Sequence, residues 1–224
     1  MARHSRLEVL NAMVTTGLVP VFYNPDIEVA KQIIAACAAG GVKVIEFTNR
    51  GDFAYDVFNA LAKHMAATHP DIMFGVGSVM DAPTAALYIA SGADFVVSPV
   101  LNAEIARLCN RRKIPFSPGC GSLSEISQAE ELGVEIVKIF PGSAVGGPGF
   151  VKAVRGPCPW TRLMPTGGVD TTEESIKAWF QAGVACVGMG SKLISKERIA
   201  AGDYAAISAT AAQVLAWIQQ YKLS

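Results

Sequence analysis

The feature that most constrains this chain is a repeated change of hydrophobic period. Short apolar runs rich in β-branched residues alternate with longer segments whose apolar residues recur every three to four positions. The short runs at 18–23, 42–48, 72–76, 94–98, 114–117, 135–140, 163–165 and 184–188 read as strands. The first helix after a strand is capped by Asn24-Pro25-Asp26 and stopped at Gly40-Gly41. The others read as 52–67, 82–91, 103–112, 123–132, 150–154, 172–182 and 204–221. An extra helix at 4–17 precedes them, with Leu7, Leu10, Met13 and Val14 on one face and Gly17 as its stop. Residues 141–149, dense in glycine and proline, read as a loop.

Strands that alternate with helices imply βαβ units and a parallel sheet. Eight such units predict an α/β fold of the closed (β/α)8, or TIM barrel, type. The barrel is expected over 18–224, behind the N-terminal segment 1–17, with no linker within 1–224. A doubly wound open sheet uses much the same periodicity. The count of eight decides for the barrel.

Hydrophobic residues make up 51% of the chain and charged ones 17%, so a sizeable core can form. Lys+Arg and Asp+Glu balance at 19 each, which gives no signal for nucleic acid or an anionic membrane. No apolar run approaches the ~18 residues of a membrane span, and the basic start leads into no signal-peptide core. A cytoplasmic protein is expected. The cysteines, Cys37, Cys109, Cys120, Cys158 and Cys186, form no C-x-x-C pair and mostly sit in apolar patterns. They read as core thiols in a reducing compartment, with neither a disulfide framework nor a metal site. His4, His64 and His69 supply no convincing partner for a serine or cysteine nucleophile.

Barrel enzymes carry their active sites at the C-terminal ends of the strands. There, the run Glu135-Ile136-Val137-Lys138-Ile139-Phe140-Pro141 places a lysine inside an apolar strand. Burial disfavours a charged amine, and a neutral lysine amine attacks carbonyls. Side chains alternate across a strand. Val42, Val44 and Glu46 share one face of their strand, and Ile136, Lys138 and Phe140 share one face of theirs. The pattern permits Glu46 and Lys138 to meet over the barrel mouth, where a carboxylate can shuttle protons. Arg50 is placed to clamp a substrate carboxylate and to depress the lysine pKa. Gly167, Gly168 and Gly190 let backbone N–H groups approach an anion, beside the hydroxyls of Thr166 and Ser191. Each residue also has a plainer reading: a lysine that reaches the surface, a structural Glu46–Arg50 pair, a simple Gly-Gly turn.

Taken in order, Gly40-Gly41-Val42, Glu46-x-Thr48-x-Arg50, Gly75-x-Gly77-Ser78-Val79, Ser98-Pro99, Pro118-Gly119, Val137-Lys138-Ile139-Phe140-Pro141, Pro165-Thr166-Gly167-Gly168-Val169 and Gly188-x-Gly190-Ser191 form a pattern. It resembles the 2-keto-3-deoxy-6-phosphogluconate (KDPG) and 4-hydroxy-2-oxoglutarate (KHG) aldolase family over nearly the whole chain. The resemblance implies a class I aldolase of (β/α)8 fold, a homotrimer with no metal or other cofactor. It implies a Schiff base between Lys138 and the C2 ketone of a 2-keto acid, with Glu46 as general acid and base. Arg50 and Ser78 would hold the pyruvate carboxylate, and Pro99 and Phe140 would line the site. Thr166, Gly167, Gly168 and Ser191 would bind a distal phosphate. Family members often carry threonine where Ser78 stands, an apolar residue at Asn49, and arginine or lysine after the first strand. Here that last segment is Phe22-Tyr23-Asn24-Pro25, so phosphorylation of the substrate is left open. Two other readings stand beside the aldolase: a phosphate-handling barrel isomerase or synthase, and a non-catalytic 2-keto acid binder.

Overall fold

The computed structural model describes residues 2–222. Met1, Leu223 and Ser224, the ends of the expected domain, lie outside the described residues. Helix α1 (Arg6–Thr16) opens with a capping box: the Ser5 hydroxyl accepts the Glu8 N–H, and the Glu8 carboxylate accepts the Ser5 N–H at 2.7 Å. It ends at Gly17, whose φ of 77° suits glycine. Next come β1 (Leu18–Phe22), α2 (Ile27–Ala39), β2 (Val44–Thr48), α3 (Ala54–Thr68), β3 (Met73–Gly77), α4 (Ala82–Ala90), β4 (Val96–Val97) and α5 (Ala103–Arg112). The second half runs β5 (Phe116–Ser117), β6 (Gly119–Cys120), α6 (Leu123–Glu131), β7 (Val137–Ile139), α7 (Gly147–Arg155), β8 (Leu163–Pro165), α8 (Glu173–Gln181), β9 (Val187–Met189), α9 (Lys196–Ala200) and α10 (Tyr204–Tyr221).

The strands form a parallel α/β fold. One sheet of six has the order β5-β4-β3-β2-β1-β9, and one of three has the order β6-β7-β8. Three features differ from the sequence expectation. The expected fifth strand, 114–117, is shortened to Phe116–Ser117, and a further short strand, Gly119–Cys120, lies beyond it, set apart by Pro118, which has no amide hydrogen for a sheet ladder. Helix α7 begins at Gly147, inside the expected loop, with Pro148 in its first turn where a missing N–H costs nothing. Helix α9, capped by Ser195, was not expected; its five residues are too few to show a period.

Alternation sorts the strand residues between two cores. Ile45, Phe47, Val137 and Ile139 belong to the larger core, which includes the apolar faces of the helices. Val44, Ile136, Val19, Phe95, Val97, Met164 and Cys186 meet in a smaller core between the sheets. Val9, Leu10 and Met13 of α1 close one end of that core. Glu46 and Lys138 stand two residues beyond Val44 and Ile136 on the same faces, so they point inward at the opposite end.

The segment before α1 is fastened to the closed end. Asp94, fully buried, accepts the backbone N–H groups of Arg3 (2.9 Å), His4 (3.2 Å) and Phe74 (2.9 Å). The His4 ring lies 3.1 Å from the same carboxylate. Arg6 pairs with Glu135 at 2.7 Å. Among the described residues, no helix is long and apolar enough to cross a membrane.

Candidate active site

Lys138 sits in the middle of β7, where Val137 and Ile139 face the helices and leave the lysine to the inner side. It is 5% exposed. Its Nζ lies 4.7 Å from the centre of the Phe140 ring, a cation–π distance when the amine is charged. Glu46 stands on β2 in the equivalent inner position and is 1% exposed. Its Oε2 is buried and, among the described residues, has no hydrogen-bond partner. Gly77, at the end of the adjacent β3, makes room for it: a Cβ on Gly77 would lie 1.7 Å from Glu46 Oε1.

Burial pushes both groups toward their neutral forms. The Lys138 pKa falls because burial disfavours the ammonium; the Glu46 charge opposes the fall and Arg50 adds to it. The Glu46 pKa rises through burial, opposed by Lys138 and Arg50. Burial therefore favours, in one site, the neutral form of the amine and the protonated form of the carboxyl. The first is a nucleophile and the second a proton donor. The buried Cys37, Cys109, Cys120 and Cys186 have thiols pushed up by desolvation to about 12, which leaves them protonated and inert at neutral pH.

A cavity of about 520 Å³ opens at the C-terminal ends of β1, β2 and β7–β9. Arg50, Phe140, Thr166, Gly167, Gly168, Gly190 and Ser191 are all in its wall. Lys138 and Glu46 are not. Ser78 and Pro99 also lie outside the lining. Ser78 directly follows β3 with φ 60°, the left-handed region, and the Pro99 carbonyl packs so tightly on Gly119 that a Cβ there would meet it at 2.2 Å. Thr166 Oγ1 is buried and unpartnered among the described residues. Gly167 and Gly168 have φ of 87° and 82°. No acceptor among the described residues takes the Gly168 amide hydrogen, and the carbonyls of Thr166 and Gly167 accept from Gly142 and Ser143. Two cavity residues, Lys192 and Lys196, were missed by the sequence reading. The available signal was a pair of lysines four residues apart just after Ser191.

A buried amine coupled to a buried carboxyl, with a cation-lined cavity at the same ends of the strands, defines a candidate carbonyl lyase of the Schiff-base class. The family model described as KDPG and KHG aldolase matches residues 9–210. The chain belongs to this family, and its relatives carry the names of aldolases, which are lyases. It is 34% identical over 199 residues to a 2-dehydro-3-deoxy-phosphogluconate aldolase of Pseudoalteromonas atlantica, spanning 89% of this chain and 90% of that one. It is 32% identical over 205 residues to the KHG/KDPG aldolase of Escherichia coli K12, spanning 91% and 93%. Among solved structures, a KDPG aldolase of Legionella pneumophila, with pyruvate captured as a covalent carbinolamine, superposes with a TM-score of 0.83 at 29% identity. The match covers 92% of this chain and 97% of that one. The aldolase of Zymomonas mobilis ZM4 with 3-phosphoglycerate gives 0.81 at 27% identity, covering 93% and 95%.

Proposed function

We propose that this chain cleaves 2-keto-4-hydroxy acids to pyruvate and an aldehyde, through a Schiff base on Lys138 and without a metal or other cofactor. The candidate substrates are 2-keto-3-deoxy-6-phosphogluconate, giving glyceraldehyde 3-phosphate, and 4-hydroxy-2-oxoglutarate, giving glyoxylate. The observation that carries the reading is the buried Lys138–Glu46 pair, with one carboxyl oxygen free of any hydrogen-bond partner among the described residues.

The neutral Lys138 amine attacks the C2 ketone and gives a carbinolamine. Protonated Glu46 hands its proton to the departing hydroxyl, which leaves as water and creates the iminium. The Glu46 carboxylate then takes the proton of the C4 hydroxyl. The C3–C4 bond breaks, its electrons enter the iminium as an enamine, and the aldehyde departs. Glu46 returns the proton to C3, and water releases pyruvate from Lys138. Arg50 and Ser78 orient the substrate carboxylate, with Pro99 and Phe140 beside it. Thr166, Gly167, Gly168, Gly190 and Ser191 receive the distal end.

We also propose that residues 18–222 form one domain in which the two sheets close as an eight-stranded barrel, with β5 and β6 as halves of one strand. Supporting this, Gly119 N–H donates to Ser98 at 2.9 Å and Lys138 N–H to Pro118 at 3.0 Å. At the other seam, a parallel bridge joins Thr166 to Gly188, and Ala185 N–H donates to Leu163 at 2.9 Å. A cytoplasmic homotrimer completes the proposal. Exposed Phe53, Met80, Leu87, Val100 and Leu123 fall on or after consecutive strands and their helices, where an apolar arc suits a second copy. Light scattering that gives the mass of one chain would contradict the trimer.

The activity is tested by a pyruvate-coupled cleavage assay across phosphorylated and unphosphorylated 2-keto-4-hydroxy acids. Pyruvate release from at least one is expected. Binding without release from any of them would favour the non-catalytic alternative.

A further inference from the structure

The cavity wall holds three charged side chains, Arg50, Lys192 and Lys196, and no carboxylate. The chain as a whole is balanced at 19 cationic and 19 anionic residues, so this excess is local. The cations are not equivalent. Arg50 follows β2 and is one of the charges that act on Lys138. Lys192 Nζ lies 3.0 Å from Asp170 and holds that carboxyl below its usual range, so much of its charge is already answered. Lys196 enters no ion pair among the described residues. The residues of β1 and its end that face the cavity, Val21, Phe22 and Tyr23, carry no charge. The cavity thus has a cation at the β2 side, Arg50, and one at the α9 side, Lys196, which is outside any close ion pair among the described residues although its charge acts on the adjacent Glu197. Gly168, whose amide is open, and Thr166, whose buried hydroxyl has no partner among the described residues, line the same cavity.

We infer that Lys196 is a specificity-determining residue that selects substrates with an anionic, phosphate-bearing end remote from the ketone. The inference rests on the aldolase reading above and adds which end group that site prefers. A dianionic phosphate gains from both the cation and the open amide hydrogen. A neutral hydroxymethyl end offers Lys196 no opposite charge. The fixed amide hydrogen belongs to the backbone, so the choice between charged and neutral ends falls on the removable side chain.

The test compares wild type, Lys196→Ala and Lys196→Arg on 2-keto-3-deoxy-6-phosphogluconate and on its unphosphorylated counterpart. Lys196→Ala should raise KM for the phosphorylated substrate about tenfold or more. The change in kcat, and the change in KM for the unphosphorylated substrate, should both be several-fold smaller. Lys196→Arg should recover most of the loss, and inorganic phosphate should compete less well against the alanine variant than against wild type. Equal losses on both substrates, or an unchanged KM for the phosphorylated one, would overturn the assignment. Borohydride capture of pyruvate on Lys138 in each variant separates the two levels. Capture with no discrimination by charge overturns the role of Lys196 alone, whereas no capture in wild type overturns the aldolase reading beneath it.

Discussion

At the scale of single residues, the site depends on two opposite electrostatic influences on one amine. Arg50 lowers the Lys138 pKa and Glu46 raises it. Removing Arg50 as Arg50→Gln should therefore move the acid limb of the pyruvate-capture rate to higher pH, because the amine then deprotonates later. Removing the Glu46 charge as Glu46→Gln should move that limb to lower pH. Limbs that shift together, or not at all, would show that these charges do not act on the reacting amine. A second residue-scale prediction concerns Gly77. A Cβ 1.7 Å from Glu46 Oε1 forces the carboxyl aside. Misplacing a catalytic group by ~1 Å costs on the order of a hundredfold, so Gly77→Ala should lose about that much in kcat. Near-normal turnover in that variant would remove Glu46 from the mechanism. The inner positions of Lys138 and Glu46 were readable in the sequence, because period-two alternation ties them to Ile136 and Val44. The Gly77–Glu46 contact was not, since it depends on register between β2 and β3, which the periodicity of neither strand specifies.

Among the secondary-structure elements, α1 and the residues before it close one end of the inner core while the chemistry occupies the other. Asp94 is the fastening point, with three backbone donors and the His4 ring on its carboxylate. Asp94→Ala would leave the buried Phe74 N–H unpaired and release the part-buried N–H groups of Arg3 and His4, at a cost of about 1–3 kcal/mol. Urea unfolding should show that loss. Unchanged stability would mean that the N-terminal segment merely rests on the sheets. Where the period was long enough, the elements were legible: nearly every expected strand and helix has a counterpart in the fold. Three failed for local reasons. Strand β6 lies past Pro118, where the expected run at 114–117 had already ended. The Gly147-Pro148 start of α7 looks like loop chemistry but is a helix start. Helix α9 is too short to announce itself, and with it Lys192 and Lys196 went unread.

Across the whole molecule, parallel strands carry their polar ends to one face, where Arg50 from one sheet and Thr166 from the other line one cavity, and Glu46 and Lys138 are buried on the inner faces of the same two sheets. The balanced overall charge and the cationic cavity assign long-range attraction to the site rather than to the surface as a whole. The central claim is that the buried Lys138 amine is the nucleophile. Incubation with pyruvate and sodium borohydride, followed by peptide mapping by mass spectrometry, tests it most directly. The account predicts one reduced pyruvate adduct per chain, on the peptide that contains Lys138, with activity lost in step. An unmodified Lys138, or full activity after the treatment, would contradict it.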